Sequence, residues 1–158
     1  MSISKVGVIG AGTMGNGIAQ ACAVVGVPVV MIDINDAALQ RGLATVGGSL
    51  DRLVKKDKLS AAARQAALDL ISVGTDYALL ADCQLVIEAA TENEALKFDI
   101  LKKLDALLPA ETLLASNTSS ISITRLAAVT QRADRFIGMH FFNPVPMMAL
   151  VEVIRGLQ

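Results

Sequence analysis

Residues 6–15 read VGVIGAGTMG, and this stretch decides the fold. A short apolar run ends in glycines at 10, 12 and 15, and an apolar stripe with helical spacing then follows at Met14, Ile18, Ala21 and Val25. The pattern predicts a strand, a tight turn and a helix. The first glycine allows the turn, the second lets backbone approach a pyrophosphate, and the third lets the helix pack on the strand.

A second apolar run, residues 27–32, ends at Asp33, close to the spacing of ~20 residues at which an acid accepts the ribose hydroxyls of a dinucleotide. The alternative role for this carboxylate is an N-cap of the next helix. A carboxylate repels a 2′-phosphate and no arginine follows at once, so NAD is preferred to NADP. S-adenosylmethionine enzymes can show similar glycines and a similar acid. The predicted cofactor contacts here are Gly10, Ala11, Gly12, Thr13, Met14, Gly15 and Asp33.

Further strand-like runs are mostly separated by helical stretches. Helices are predicted to start near Asn35, Ser60, Asn93 and Ser122, and the third carries Leu96, Ile100, Leu104 and Leu107 as its apolar stripe. The alternation predicts an α/β fold of doubly wound, Rossmann-type architecture, with a mostly parallel sheet and helices on both faces. No repeat or linker interrupts it, so residues 1–158 are expected to form one domain. The other predicted strands are 71–73, 85–87, 112–115, 136–139 and 150–154.

The composition excludes several classes of protein. A net charge of −1 over 158 residues gives no field that would attract nucleic acid or an anionic membrane. An apolar share of 53% with 18% charged residues excludes a disordered chain. The first residues lack the pattern of a secretion signal, so we expect none, and no apolar run approaches the ~20 residues of a membrane span. Cys22 and Cys83 make no metal-site pattern, so we expect reduced thiols, no metal and a cytoplasmic location.

Polar side chains follow the predicted strands where parallel strands would bring them to one edge of the sheet. Glu88 and Glu92 follow one strand, the SNTSS stretch at 116–120 follows the next, and His140 and Asn143 follow another. Ligands of open α/β sheets bind beyond the carboxyl ends of the strands. These side chains are therefore candidates for contact with a cofactor and a substrate, although such loop residues can also bond their own backbone.

His140 is the single histidine and ends an apolar strand. Oxidation of an alcohol leaves a hydroxyl proton that needs a base, and an imidazole has a suitable pKa. Glu152 lies in an alternating strand and is the candidate carboxylate that would orient the ring. The alternatives are a structural histidine and an exposed strand glutamate.

Two basic features have alternative interpretations. Lys97 lies three residues after Glu94, which fits a solvated helix start. Lys55, Lys56 and Lys58 near a helix end fit a solvated cluster or a site for the phosphates of a carrier such as coenzyme A.

The chain resembles the N-terminal domain of the 3-hydroxyacyl-CoA dehydrogenase family over essentially its whole length. The resemblance rests on VGVIGAGTMGNGIAQ at 6–20, VIEAATENEALK at 86–97, ASNTSSISI at 115–123 and HFFNPVPMMALVEV at 140–153. It implies that His140 is the base and Glu152 its partner, and that Ser119 and Asn143 lie beside the reacting hydroxyl and the nicotinamide. It also implies that Glu92 and Lys97 contact the cofactor and that Ser49, Lys56 and Ser119 contact coenzyme A.

The resemblance further implies reversible NAD-dependent oxidation of an (S)-3-hydroxyacyl-CoA to the 3-oxoacyl-CoA. Members of the family continue into a helical C-terminal domain that closes the acyl site and forms a homodimer, and we expect that domain to be absent from these 158 residues. The competing hypotheses are a nucleotide-binding module without chemistry of its own and a methyl transferase on a similar sheet.

Overall fold

The computed structural model describes residues 1–157, and a seven-stranded sheet forms their centre. The strands are β1 Val6–Ile9, β2 Val29–Ile32, β3 Ile71–Gly74, β4 Leu85–Glu88, β5 Leu113–Ser116, β6 Phe136–Phe141 and β7 Val151–Arg155. Their order across the sheet is β3-β2-β1-β4-β5-β6-β7. Neighbouring strands are parallel except β7, which runs antiparallel to β6. The predicted mostly parallel sheet is therefore confirmed.

The helices begin where short polar residues can cap them. The helices are α1 Thr13–Val24, α2 Asp36–Lys55, α3 Ala61–Asp69, α4 Glu94–Leu107 and α5 Ile123–Ala127. The side chains of Asn35, Ser60, Asn93 and Ser122 each accept a backbone N–H three residues later, which satisfies one of the orphan donors of the first turn. These four predicted helix starts are confirmed.

Two apolar layers lie on opposite faces of the sheet. Along β1, Val8 faces a core that includes Ile18 of α1 and Leu39 of α2, whereas Ile9 faces a core that includes Leu101 of α4. This alternation follows from the period of two in a strand. Because both faces of the central strands are covered, all four residues of β1, β2 and β4 are buried. Helices on both faces make the fold doubly wound, as predicted.

Some predicted core positions and boundaries are wrong. Leu96 and Leu107 are 41% and 60% exposed, and the buried stripe of α4 instead begins at Lys97 and continues through Ile100, Leu101 and Leu104. Val25, assigned to the apolar stripe of the first helix, lies beyond α1 and is 74% exposed. In the strands, β2 begins two residues later than predicted and β6 extends through His140.

The strand order reverses between β1 and β4. The chain moves from β1 outward to β3 and then returns to the other side of β1, so the helices that follow β1 and β4 lie on opposite faces of the sheet and leave a crevice at the ends of these strands. No helix among residues 1–157 is long and apolar enough to cross a membrane.

Candidate active site

The glycine loop lies tightly against the loop after β4. Gly10 has φ +106°, and a Cβ at this residue would lie 2.6 Å from the carbonyl oxygen of Ala89. A Cβ at Gly15 would overlap the carbonyl oxygen of Gly10. A Cβ at Gly12, by contrast, would meet no heavy atom of the described residues within 4 Å. The loop therefore leaves open space above Gly12, where a ligand can approach the backbone.

The first turn of α1 has backbone donors that no side chain caps. Gly12 is its N-cap and supplies no side-chain hydrogen bond, in contrast to the capped starts of the other four α-helices within residues 1–157. Orphan N–H groups and the positive end of the helix dipole form an anion site. The geometry therefore fits a pyrophosphate held by Gly12, Thr13 and Met14.

Asp33 is directed into the glycine loop. Its Oδ2 accepts the backbone N–H of Ala11 at 2.8 Å, and its Oδ1 accepts the N–H of Ile34 at 2.7 Å. The alternative interpretation of Asp33 as the helix N-cap is wrong, because Asn35 caps α2. The carboxylate thus joins the end of β2 to the loop after β1, on the wall of the crevice.

A cavity of about 970 Å³ extends from the glycine loop over the ends of β1, β2 and β4. Its far wall includes Tyr77, Leu96, Lys103 and Leu107, so the two exposed leucines of α4 face this space. The ammonium of Lys103 lies 5.8 Å from the centroid of the Tyr77 ring. Burial raises the pKa of the Tyr77 phenol, with smaller contributions from the charges of Glu88 and Asp33. An apolar wall with an aromatic ring fits an adenosine.

His140 and Glu152 form a hydrogen-bonded pair at the other side of the sheet. They are register partners of β6 and β7, and Nδ1 of the ring lies 3.0 Å from Oε2 of the carboxylate. The imidazole side chain is 21% exposed and also contacts the ring of Phe142, with 4.6 Å between centroids. Glu152 is an exposed strand residue, at 51%, and it is also the hydrogen-bond partner of the histidine.

Glu88 and Lys97 form an ion pair inside the protein. The side chain of Glu88 is 0% exposed and that of Lys97 is 2% exposed, with 2.7 Å between Oε2 and Nζ. Glu88 also accepts the N–H of Ala90 at 2.7 Å and the hydroxyl of Ser116 at 2.6 Å. The interpretation of Lys97 as part of a solvated helix start is wrong. Glu94 pairs instead with Arg125, at 2.7 Å.

A second carboxylate connects this pair to the loop after β5. Oε1 of Glu92 lies 3.7 Å from Nζ of Lys97 and accepts the hydroxyl of Thr118 at 2.7 Å. Its Oε2 accepts the backbone N–H of Ser119 at 3.3 Å. The structure thus brings Glu92, Lys97 and Ser119 together at the carboxyl ends of β4 and β5.

Comparison with known proteins agrees with this geometry. Residues 5–158 match the family profile described as 3-hydroxyacyl-CoA dehydrogenase, NAD binding domain. The chain belongs to the 3-hydroxyacyl-CoA dehydrogenase family. It is 53% identical over 155 residues to a 3-hydroxybutyryl-CoA dehydrogenase of Bradyrhizobium diazoefficiens, covering 98% of this chain and 53% of that protein. It is 43% identical to a fatty acid oxidation complex subunit alpha of Colwellia psychrerythraea, covering 98% of this chain and 22% of that protein.

A solved member of the 3-hydroxyacyl-CoA dehydrogenase family has nearly the same backbone. The (S)-3-hydroxybutyryl-CoA dehydrogenase of Ralstonia eutropha superposes with a TM-score of 0.98 at 66% identity, covering 99% of this chain and 56% of that one. The chain therefore spans about half the length of the first relatives it matches. The comparisons support NAD as the cofactor of this domain.

Three other residues that the resemblance to 3-hydroxyacyl-CoA dehydrogenases singles out lie on two further segments of the chain. Asn143 is exposed in the segment between β6 and β7, and a cis peptide bond joins it to Pro144. Ser49 and Lys56 lie on and just after α2, which packs against α1 and α3. The hydroxyl of Ser49 accepts Nε2 of Gln20 at 3.0 Å, and Lys56 is exposed.

The sequence named Glu88 as a candidate for contact with a ligand of this 3-hydroxyacyl-CoA dehydrogenase domain, whereas the structure buries it at the end of β4 in a pair with Lys97. A usable signal was present, because Glu88 is the one charged residue in the buried strand LVIE and parallel strands buried on both faces are apolar. Its partner was less visible, since Lys97 also lay within helical reach of Glu94.

Proposed function

We propose that the chain is the NAD-binding half of an enzyme that reversibly oxidises an (S)-3-hydroxyacyl-CoA to the 3-oxoacyl-CoA. The names of the relatives favour 3-hydroxybutyryl-CoA as the substrate. The observation that carries the proposal is the 3.0 Å contact between Nδ1 of His140 and Glu152, on the sheet that also holds the glycine loop.

The contact determines which ring nitrogen acts as the base. An ionised carboxylate can only accept a hydrogen bond, so Nδ1 of the neutral imidazole must carry the ring proton. Nε2 then has the free lone pair and takes the proton of the substrate hydroxyl. Glu152 stabilises the imidazolium that forms. In the reverse direction, the same imidazolium returns the proton to the forming alkoxide.

The remaining residues bind and orient. NAD supplies the acceptor of the substrate hydride when it is bound. In this proposal the loop from Gly10 to Gly15 binds its pyrophosphate through the backbone donors of Gly12, Thr13 and Met14, and Asp33 accepts ribose hydroxyls. Ser119 and Asn143 donate hydrogen bonds around the developing charge, and Ser49 and Lys56 bind coenzyme A.

The carboxylate of Asp33 also selects the cofactor, because it repels the 2′-phosphate of NADP. We further propose that the full-length protein is a cytoplasmic homodimer without a nucleic-acid or membrane partner. The near-neutral charge and the two free cysteines fit this setting. The family assignment disfavours the methyl transferase hypothesis.

The test is a kinetic assay on a chimera, because the chain spans about half of its relatives. Residues 1–158 are joined to the remaining C-terminal part of the Ralstonia eutropha protein, and reduction of acetoacetyl-CoA by NADH is followed. We expect turnover in the chimera and a loss of about 10²–10⁴-fold in kcat in His140→Ala, with NADH affinity kept. Unchanged turnover in His140→Ala would reject His140 as the base, and a chimera that binds NADH without turnover would favour a nucleotide-binding module without chemistry. We expect the 158-residue chain alone to bind NADH but to turn over poorly.

A further inference from the structure

The stability of the fold alone does not explain why the Glu88–Lys97 ion pair is buried. Both charges have lost their water, since the side chains are 0% and 2% exposed. Desolvation of two charges is so costly that replacing a buried ion pair with apolar residues of similar volume is often neutral or stabilising. Glu88 ends the buried strand β4 and Lys97 begins the buried stripe of α4, and their other polar contacts are to Ala90, Ser116 and Glu92.

The pair lies between the two ends of the proposed cofactor path. Asp33 follows β2 on one side of the crevice, and His140 lies on β6 on the other side. A dinucleotide whose adenosine ribose meets Asp33 must pass over the ends of β4 and β5 to bring its nicotinamide to His140. Glu88 ends β4, and Ser116, which donates to it, ends β5. The nicotinamide half therefore lies over the side of this pair that holds Glu92 and Ser116, and the adenosine lies further out, against Tyr77 and Leu107.

Lys97 holds groups of the crevice wall in place. Its ammonium donates to the carbonyl oxygen of Ala90 at 3.2 Å and lies 3.7 Å from Oε1 of Glu92. Glu92 in turn holds the hydroxyl of Thr118 and the backbone of Ser119. The start of the loop after β4 is also fixed, because the backbone N–H of Ala89 donates to the carbonyl oxygen of Ile9 at 2.8 Å.

We infer that Glu88 is a positioning residue for the nicotinamide half of the cofactor. Through Lys97 it fixes the carbonyl of Ala90 and the carboxylate of Glu92, and through Ser116 it ties the loop after β5 to the same point. The inference rests on the proposed function for the path of the cofactor. It adds that the ion pair sets affinity for the nicotinamide half, independently of the stability of the fold.

The test separates the two halves of the cofactor by calorimetric titration of the 158-residue chain with NADH and with ADP, which lacks the nicotinamide and its ribose. The variant is the double substitution Glu88→Met with Lys97→Met, which removes both charges together. We expect its Kd for NADH to rise by about tenfold or more while its Kd for ADP stays within about twofold. Urea unfolding measures the stability of the variant, which should fall modestly because the Ala90 N–H and the Ser116 hydroxyl lose their acceptor.

The second variant, Glu88→Gln, keeps the size of the side chain and covers the case in which the double variant does not fold. Its Kd for NADH is expected to rise while its Kd for ADP is retained. Asp105→Asn is the matched control, because it removes a charge from another ion pair of α4, to Arg132 at 2.7 Å, and Asp105 does not line the cavity. It should lower stability and leave the ratio of the two Kd values unchanged.

The outcomes distinguish this inference from the proposed function. A folded double variant, or a folded Glu88→Gln, with wild-type affinity for NADH would overturn the inference and leave the proposed function intact. Loss of NADH affinity in these variants, together with an inactive chimera, would leave the inference standing and reject the proposed reaction. A wild-type chain that does not bind NADH would overturn both.

Discussion

His140 and Glu152 face each other across the antiparallel pair of β6 and β7, with Nδ1 of the ring 3.0 Å from Oε2 of the carboxylate. The ring is held on its other side by Phe142. Only 12 residues separate the two side chains along the chain. Their geometry is therefore determined by one strand pair, whereas the cofactor site is assembled from the ends of several strands.

Replacement of Glu152 by glutamine should impair proton transfer without removing a hydrogen bond. The amide can either donate to Nδ1 or accept from it, so part of the population would hold the tautomer that lacks a free Nε2. We expect kcat of the chimera to fall by about 10²-fold or more, with little change in the Kd for NADH. Steady-state kinetics and calorimetry measure the two quantities. Glu111→Gln, at an exposed position, serves as the control.

Replacement of Asp33 by asparagine should weaken NADH binding and reduce the preference over NADPH. The substitution keeps an oxygen that can accept the N–H of Ala11 but removes the charge. Hydrogen bonds to charged groups contribute about 1.5–3 kcal/mol, so the Kd for NADH should rise by about one to two orders of magnitude. Titrations with NADH and NADPH test this. Asp36→Asn removes an exposed charge three residues away, and an equal effect there would contradict the assignment.

Tyr77 offers an intrinsic optical probe of the cavity. It is the only tyrosine and the chain has no tryptophan, so tyrosine emission comes from this wall alone. We expect ADP to change the emission on binding, and to produce no such signal in Tyr77→Phe. If ADP binds in a calorimeter without altering the emission, the adenosine does not lie against Tyr77.

The same residue should make stability sensitive to alkaline pH. Burial raises the pKa of the Tyr77 phenol above its ordinary value of 10.0. The unfolded chain therefore loses this proton first, so the contribution to stability is complete below pH 10.0 and is lost as the pH rises through the folded-state pKa. Urea unfolding across this range should show a steeper decline in the wild type than in Tyr77→Phe. Parallel declines would contradict the raised pKa.

Both thiols should be unreactive in the folded chain. Burial raises the pKa of Cys22 and of Cys83 to about 11. At about pH 8 only roughly a thousandth of each thiol is then ionised, and the thiolate is the reactive form. Intact-mass measurement after treatment with iodoacetamide should show little labelling without urea and two labels with it. Rapid labelling of the native chain would show that a thiol is more accessible than this structure has it.

Features that depend on neighbouring residues could be predicted from the sequence, and features that depend on distant contacts could not. The caps at Asn35, Ser60 and Asn93 bond backbone three residues away, so local pattern was sufficient. Lys97 had two carboxylates within reach, and the choice of Glu88 depended on how α4 packs against β4. Nothing local distinguishes these two partners.

The same dependence on distant contacts explains why two predicted core positions of α4 were wrong. Leu96 and Leu107 share the spacing of a core stripe, yet they face the cavity. A helix beside a ligand site has one apolar face toward the core and further apolar residues toward the ligand, and hydropathy does not separate them. The direction of β7 was equally hidden, because an alternating strand reads the same in parallel and antiparallel pairing.

The reversal of β7 has a consequence for tolerance to insertion and deletion. Successive side chains of a strand point to opposite faces, so a shift of β7 by a single residue against β6 would place Val151 or Val153 opposite His140. Neither valine has an acceptor for the ring proton. The length of the segment 142–150 therefore determines that a carboxylate lies opposite the imidazole. A one-residue change in that length is expected to reduce activity more than most substitutions within the segment.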